Sequence, residues 1–175
     1  FFDIKCRKAG LKPAAVVLVA TARALKMHGG VAKDQLATEN VEAIKKGCEN
    51  LGRHIDNLKK FGVPVTVAIN CFSADTAEEL SAIREFCAAR DVQAFDANHW
   101  AEGGKGTEDL ARHVAEVADS GVSKFAPIYD DDMPLWEKAR HIARTIYGAE
   151  DITADKKVRD QFARFEAAGY GHFPV

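Results

Sequence analysis

The sequence predicts an α/β fold in which a mostly parallel sheet is covered by helices on both faces, a three-layer arrangement. Two short apolar runs, Ala14–Ala20 (AAVVLVA) and Val63–Ile69 (VPVTVAI), are rich in valine, as is typical of strands buried on both faces. Between them, apolar residues recur from Val41 to Leu58 at spacings of three and four, which predicts one buried stripe on a helix. Strands that alternate with helices favour a parallel sheet.

The first half of the chain supplies two strands and two helices. The helix from Val41 to Leu58 has about five turns, and Lys33–Thr38 before it is the most loop-like connection. Pro64 is compatible with the second strand because it stands near the start. The stretch Asp75-Thr-Ala-Glu78 then predicts a capping box that opens a helix, whose apolar face is Leu80, Ile83 and Cys87.

The second half continues the alternation. Val92–Phe95 predicts a third strand, and Thr107 is a candidate N-cap for a helix whose apolar face is Leu110, Val114 and Val117.

Lys124–Tyr129 is a candidate fourth strand. Two further helices are expected at about 134–147 and about 154–168, because Gly148 and Gly169 follow them and can take the left-handed conformation that ends a helix.

Composition excludes several classes of function. The 175 residues are 47% hydrophobic and 29% charged, which is ordinary for a globular domain with a buried core. The net charge of −2, with both signs mixed along the chain, argues against a nucleic-acid partner. The longest apolar run is far shorter than the ~20 residues of a membrane-spanning helix, so no membrane partner is expected.

The cysteines and histidines do not predict a disulfide or a metal site. The four cysteines form no CxxC pair and stand among apolar neighbours, so we expect reduced thiols, mostly in the core. The six histidines show no i, i+4 pairing of the kind that binds zinc. The run Asp130–Asp132 lacks the spacing of a calcium loop and is better explained as the acidic start of a helix. No metal ligands are therefore predicted.

The two ends suggest a piece of a longer protein. The chain opens on Phe1 without an initiator Met or a signal peptide, and it closes on the apolar residues Phe173, Pro174 and Val175. We therefore expect residues 1–175 to be one part of a larger α/β protein, cut at both ends.

Loops that follow the strands are the expected place for a ligand, because open parallel sheets bind ligands beyond the carboxyl ends of their strands. Asn70 and Phe72 follow the second strand, and Trp100, Gly103 and Gly104 follow the third. The glycines would let backbone approach a ligand closely. Successive parallel strands are often neighbours, so Phe72 and Trp100 are expected at one edge, where two aromatic faces could grip a flat heterocycle. Each ring alone could instead fold onto the core.

Two other features near strand ends remain open. The stretch HWAEGGKG, residues 99–106, is similar to a phosphate-binding loop, but His99 stands where the first glycine is required and Gly106 stands where a Ser or Thr is required. Its Lys105 is expected to be solvated at a helix start. After the first strand, Lys26 could meet an anionic ligand and His28 could shuttle protons, or they could be a solvated helix residue and a helix C-terminal cation.

Four long stretches carry a resemblance to a known family. They are FFDIKCRKAGLKPAAVVLVATARALKMHGG, VPVTVAINCFSADTAEEL, HWAEGGKG and IYGAEDITADKKVRDQFARFEAAGYGHFPV. Together they resemble formate–tetrahydrofolate ligases, also called 10-formyltetrahydrofolate synthetases, in register over the whole length. The resemblance implies an α/β core related to the P-loop NTPases and an ATP-dependent ligase that makes formyl phosphate and passes the formyl group to N10 of tetrahydrofolate.

The resemblance also implies cofactors, assembly and location. Family members use ATP with Mg²⁺, are activated by a monovalent cation (K⁺ or NH₄⁺), and are cytoplasmic homotetramers, so the partners expected are tetrahydrofolate, formate, ATP and copies of the same chain. Family chains are several times longer, and their phosphate-binding loop lies upstream of the segment that resembles Phe1. The catalytic residues of that loop are therefore expected outside this chain, and residues 1–175 alone are expected to be inactive.

At the level of residues, the resemblance makes Phe72 and Trp100 the aromatic clamp for the pterin ring, with Asn70, Gly103 and Gly104 as further candidate contacts. Many relatives have Arg and Pro where this chain has Cys71 and Ser73, which changes the fine shape of the ring pocket. Two alternatives stay open: a non-catalytic nucleotide- or pterin-binding α/β module, and the ligase region of a multifunctional C1-tetrahydrofolate synthase.

Overall fold

The computed structural model describes all 175 residues, which divide into two compact units. One unit is Ala14–Lys124, and the other joins Phe1–Pro13 to Phe125–Val175. No helix combines the length and the apolar character needed to cross a membrane. The main elements in chain order are α1 (Arg7–Ala9), β1 (Val16–Ala20), α2 (Ala22–His28), α3 (Val41–Lys59), β2 (Val65–Asn70), α4 (Ala77–Ala88), β3 (Ala94–Ala97), α5 (His99–Glu102), α6 (Glu108–Asp119), α7 (Leu135–Tyr147) and α8 (Lys156–Phe165).

The unit Ala14–Lys124 is built on a parallel sheet with the strand order β1-β2-β3. β1 and β2 are the two valine-rich runs, whose branched side chains suit a pleated, packed surface. Leu18 is paired with Val67, and Asn70, the last residue of β2, is paired with Ala97, the last residue of β3. The predicted α/β fold with a parallel sheet is thereby confirmed.

One face of the sheet carries the core of this unit. Leu18, Val67 and Ile69 pack there with buried residues of α2, α3 and α4. The predicted stripe on α3 is confirmed, because Ile44, Cys48 and the residues that continue it at this spacing are buried in the core.

The other face is covered by α6. Side chains alternate between the two faces of a strand, and Phe95 of β3 contacts the ring of His113 in α6 at 5.0 Å between centroids. Helices therefore lie on both faces, which confirms the three-layer arrangement. The cover is incomplete at β1, where Val17 is 40% and Val19 is 63% exposed. The expectation that this strand is buried on both faces was wrong, because β1 is an edge strand that α6 does not cover.

Three local predictions differ from the structure. The capping box of α4 is formed by Thr76 and Glu79, one residue later than predicted, because Thr76 is the residue with the extended backbone that precedes the helix. The third strand begins at Ala94, while Val92 is buried before it. Lys124–Tyr129 is not a strand: no ladder forms there, and Pro127 has no N–H to donate.

The unit that joins Phe1–Pro13 to Phe125–Val175 contains the two predicted late helices. Gly148 ends α7 in the left-handed conformation, as expected. Trp136 of α7 packs edge-on against Phe162 of α8, with 5.5 Å between ring centroids. Lys138 is fully buried, and its ammonium donates to three backbone carbonyls, those of Asp131, Gly171 and Phe173.

Candidate functional site

The ends of β2 and β3 bring two predicted site loops together. The backbone N–H of Cys71 donates to the carbonyl of Ala97 at 3.2 Å, and this hydrogen bond belongs to the last pair of the two strands, Asn70 with Ala97. Phe72 follows at the next position of one loop, and Trp100 follows Ala97 by three residues in the other. The prediction that these loops share one edge of the sheet is confirmed.

Both aromatic rings at this edge are accessible. Trp100 is 84% exposed and Phe72 is 45% exposed, unusual values for large aromatic side chains. Neither ring is folded away into the core, so the alternative that Trp100 is a lid over the core was wrong. Asn70 is half-buried at the end of β2. As ligand-binding residues, Phe72, Trp100 and Asn70 remain a prediction.

The loop that carries Phe72 is held by Asp75. Asp75 Oδ2 accepts the N–H of Phe72 at 2.9 Å, and the N–H of Asp75 donates to the carbonyl of Phe72 at 3.0 Å. This closed turn leads directly into Thr76, the N-cap of α4. The other carboxylate oxygen, Oδ1, is buried and accepts no hydrogen bond. The sequence pattern predicted only a helix cap at Asp75 and carried no signal for its two hydrogen bonds to Phe72.

The loop that carries Trp100 does not form a phosphate cradle. Trp100 lies in the four-residue helix α5, and Gly103–Thr107 forms a 3₁₀ turn in which Lys105 is exposed. Gly103 has φ +61°, and Gly104 has no neighbouring atom within 4 Å of where a Cβ would stand, so this stretch of backbone is open to a ligand. Both glycines remain predicted contacts.

The end of the same loop is packed closely. A Cβ on Gly106 would lie 2.6 Å from the backbone of Asn98, whose N–H donates to the Gly106 carbonyl. The hydroxyl of Thr107 donates to the carbonyl of Gly104 at 3.1 Å and makes no cap for α6. Thr107 therefore closes the turn, and its predicted role as a side-chain cap was wrong.

A cavity of about 360 Å³ opens beside the Trp100 loop, lined among others by Arg84, Asp96, Asn98 and Lys105. Arg84 of α4 holds both carboxylate oxygens of Asp96 at 2.7 and 2.8 Å. This pair lies at the end of β3 and had no signal in the sequence pattern. A larger cavity, about 690 Å³, lies between Gly29–Val31 and the start of α3, and neither exposed ring lines it.

Lys26 and Glu79 form an ion pair inside the unit. Lys26 Nζ lies 2.9 Å from Glu79 Oε1, and both side chains are fully buried. Neither predicted role for Lys26, an anion contact or a solvated helix residue, agrees with this placement. His28, the last residue of α2, is exposed and has its Nε2 3.4 Å from the Asn50 amide.

The thiols and acidic residues add no metal centre. Cys6, Cys48 and Cys87 are buried, as expected, while Cys71 is half-buried beside Phe72; none of the four forms a disulfide in this structure. Burial is the main cause that raises the pKa of Cys71 above its ordinary value. In the run Asp130–Asp132, Asp131 pairs with Arg7 at 2.8 Å. No group of three or more His, Cys, Asp or Glu side chains is arranged to hold a metal ion, so we derive no metal-dependent step from these residues.

Comparison with known proteins identifies the family to which these features belong. The sequence model of the family described as formate–tetrahydrofolate ligase matches residues 1–175. Curated proteins of that name from Maricaulis maris and Granulibacter bethesdensis are 59% and 58% identical over 175 residues. One from Sinorhizobium medicae is also 58% identical over the same length.

Each alignment covers the whole chain and 31–32% of the relative. The chain thus spans about a third of the length of the curated relatives that it matches. Because the family match extends from the first residue to the last, the chain belongs to the formate–tetrahydrofolate ligase family.

Proposed function

We propose that this chain is part of an ATP-dependent ligase that joins formate to tetrahydrofolate and yields 10-formyltetrahydrofolate. Within that enzyme, we assign to this chain the surface that binds the pterin ring. The observation that carries the proposal is the pair of exposed rings, Phe72 and Trp100, on loops that leave adjacent strand ends. Family membership over the full chain supports the same reaction.

Stacking explains why two exposed rings suit this substrate. The pterin ring is flat, and aromatic faces attract one another in offset or edge-on arrangements, with roughly 0.5–1.5 kcal/mol per pair beyond the buried area. Gly103 and Gly104 have no side chain beside Trp100, and the space where a Cβ would stand is open, so a ligand can approach the backbone closely there. The half-buried amide of Asn70 can donate to and accept from the polar edge of the ring.

We propose a two-step reaction through formyl phosphate. Formate attacks the terminal phosphorus of ATP, ADP leaves, and formyl phosphate forms. N10 of tetrahydrofolate then attacks the formyl carbon, inorganic phosphate leaves, and N10 releases its proton. Transfer of a phosphoryl group depends mainly on positioning and on charge stabilisation. The second step depends on holding N10 in line with the acyl carbon. The clamp residues of this chain serve the second step, because they fix the ring system to which N10 is attached.

The nucleotide site is proposed to lie in another part of the enzyme. HWAEGGKG forms a short helix and a 3₁₀ turn, and the chain has no other candidate phosphate loop. The relatives are about three times as long as this chain, which leaves room for such a site. As parts of the same proposal, this enzyme uses Mg²⁺ and is activated by K⁺ or NH₄⁺. It is also proposed to be a homotetramer in the cytoplasm, as the resemblance to the family implies.

The activity assay is direct. The full-length enzyme should form 10-formyltetrahydrofolate only when ATP, formate and tetrahydrofolate are all present, and omission of any one should abolish the product. Residues 1–175 alone should show no turnover under the same conditions. Product formation by the 175-residue chain would contradict the proposed division between nucleotide and folate sites. Absence of product with the full-length enzyme would contradict the function itself.

A further inference from the structure

We propose that the buried pair Lys26–Glu79 positions the loop that carries Phe72. Lys26, Glu79 and Asp75 would then be positioning residues for tetrahydrofolate, although Lys26 and Glu79 are buried and only the ring of Phe72 faces the ligand. The inference rests on the proposed function. It deepens that function by extending the folate site to residues behind the exposed edge.

Glu79 is a junction between three parts of the fold. Its Oε1 accepts the N–H of Asn40 at 2.8 Å and the ammonium of Lys26 at 2.9 Å. Its Oε2 accepts the N–H of Thr76 at 3.4 Å, which completes the capping box of α4. One carboxylate therefore ties together the end of α2, the start of α3 and the start of α4.

Lys26 holds that carboxylate from α2, the helix that directly follows β1. Its ammonium also donates to the carbonyl of Thr38 at 3.2 Å, so it bridges α4 and the segment that leads into α3. The pKa of Glu79 lies below its ordinary value: burial alone would raise it, but the hydrogen bonds from Asn40, Lys26 and Thr76 outweigh burial. The carboxylate is thus held ionised as an acceptor for all three donors.

Asp75 connects this anchored segment to Phe72. Thr76, which Glu79 holds, is the next residue after Asp75, and Asp75 closes the turn on Phe72 through two hydrogen bonds of 2.9 and 3.0 Å. Phe72, Ser73 and Ala74 are exposed, so apolar packing contributes little to the shape of this turn. The orientation of the Phe72 ring is therefore set by the hydrogen bonds of the turn to Asp75 and by the anchoring of Thr76.

The chemistry of the pair favours positioning over stabilisation alone. Two charges in a protein interior lose their hydration, and apolar residues of similar size often give equal or greater stability. A leucine at position 79, however, could not accept the N–H groups of Asn40 and Thr76. An ionised carboxylate accepts several donors at once and fixes their directions.

The test compares substrate-specific kinetics in the full-length ligase. Glu79→Gln and Asp75→Ala should each raise the KM for tetrahydrofolate about five- to tenfold, because loss of precise placement weakens binding of the ring. The KM values for ATP and formate should stay within about twofold. Asp75→Asn keeps an oxygen that can accept the Phe72 N–H, so it should raise the KM for tetrahydrofolate less than Asp75→Ala does. Lys45→Met, which breaks the exposed pair Lys45–Glu42 on α3, is the matched control and should change none of the three KM values.

The outcomes separate positioning from general stability. A lower Tm of Glu79→Gln with an unchanged KM for tetrahydrofolate would overturn the proposal, as would equal increases of KM for all three substrates. If Glu79→Gln does not fold, the variants of the half-buried Asp75 provide the test. Equal KM values for tetrahydrofolate in Asp75→Ala and Asp75→Asn would refute the proposal that Asp75 positions Phe72. A wild-type enzyme without ligase activity would instead refute the proposed function, and this inference would fall with it.

Discussion

The N–H of Cys71 lies 3.2 Å from the carbonyl oxygen of Ala97, and this hydrogen bond joins the two loops of the candidate folate site. It belongs to the ladder in which Asn70 is paired with Ala97. The loops therefore start from a shared, rigid base, and only their outer parts, with Phe72 and Trp100, are exposed. Sites built on the ends of rigid elements hold a ligand more precisely than sites on loops alone.

The two exposed rings should each contribute to folate affinity. In the full-length ligase, Phe72→Ala and Trp100→Ala should each raise the KM for tetrahydrofolate about fivefold or more, which corresponds to a loss of ~1 kcal/mol of stacking. The KM for ATP should not change. Phe165→Ala removes another exposed phenylalanine, 52% accessible and outside these loops, and serves as the control. Unchanged folate kinetics in both clamp variants would show that the pocket is misassigned.

Two glycines of the Trp100 loop should respond differently to the same change. Gly106→Ala would place a Cβ 2.6 Å from the Asn98 backbone, whereas Gly104→Ala meets no atom within 4 Å. Thermal unfolding should therefore show a lower Tm for Gly106→Ala only. If Gly104→Ala raises the KM for tetrahydrofolate at unchanged Tm, its backbone lies close to the ligand. A normal KM for Gly104→Ala would remove Gly104 from the site.

Cys71 should be the cysteine that a thiol reagent modifies first. It is half-buried, while burial raises the pKa of Cys48 to about 12 and of Cys87 to about 11. The thiolate is the reactive form, so Cys48 and Cys87 should stay unmodified in the folded protein. Peptide mass spectrometry after alkylation at pH 8 measures the order, with Cys71→Ser as control. Tetrahydrofolate should slow the modification of Cys71, because Cys71 adjoins Phe72. Equal rates of alkylation of Cys71 with and without tetrahydrofolate would argue against binding of the pterin ring at Phe72.

Removal of one partner of the buried pair should destabilise the fold strongly. Lys26→Met leaves the Glu79 carboxylate buried without its cation, and such changes cost about 3–5 kcal/mol. Urea denaturation of the full-length protein gives the free energy of unfolding. Lys45→Met, in an exposed pair, should change it by less than about 1 kcal/mol. Equal effects of the two substitutions would mean that the Lys26–Glu79 pair is solvated in solution.

Stability should fall at acid pH through Glu79. Hydrogen bonds from Asn40, Lys26 and Thr76 outweigh burial and hold the folded-state pKa of Glu79 below 4.5. A lowered folded-state pKa contributes stability that is fully present above the unfolded-state value and is lost as pH falls through the folded-state value. The difference in unfolding free energy between wild type and Glu79→Gln should thus shrink as pH falls below 4.5. A difference that stays constant down to pH 3 would contradict this assignment.

Periodic patterns predicted most of the helices and strands, because burial of one face imposes the spacing of apolar residues. Val41 to Leu58 predicted α3, and the valine-rich runs predicted β1 and β2. Isolated features were less informative. Lys124–Tyr129 has the composition of a strand but no partner strand, and the capping box was predicted one residue early because the extended backbone of Thr76 has no unique sequence signal. The exposure of one face of β1 depends on where α6 packs on the sheet, and the residues of the strand itself carry no information about that.

The sequence by itself determined the family, the α/β class and the two aromatic residues at the strand ends, since these follow from local patterns and motifs. Only the tertiary structure decided what Lys26, Asp75 and Glu79 do. The partners of Lys26 are 12 and 53 residues away, at Thr38 and Glu79. Hydrogen bonds and ion pairs of this kind depend on the approach of distant segments to within about 3 Å, and apolar periodicity carries no information about that approach.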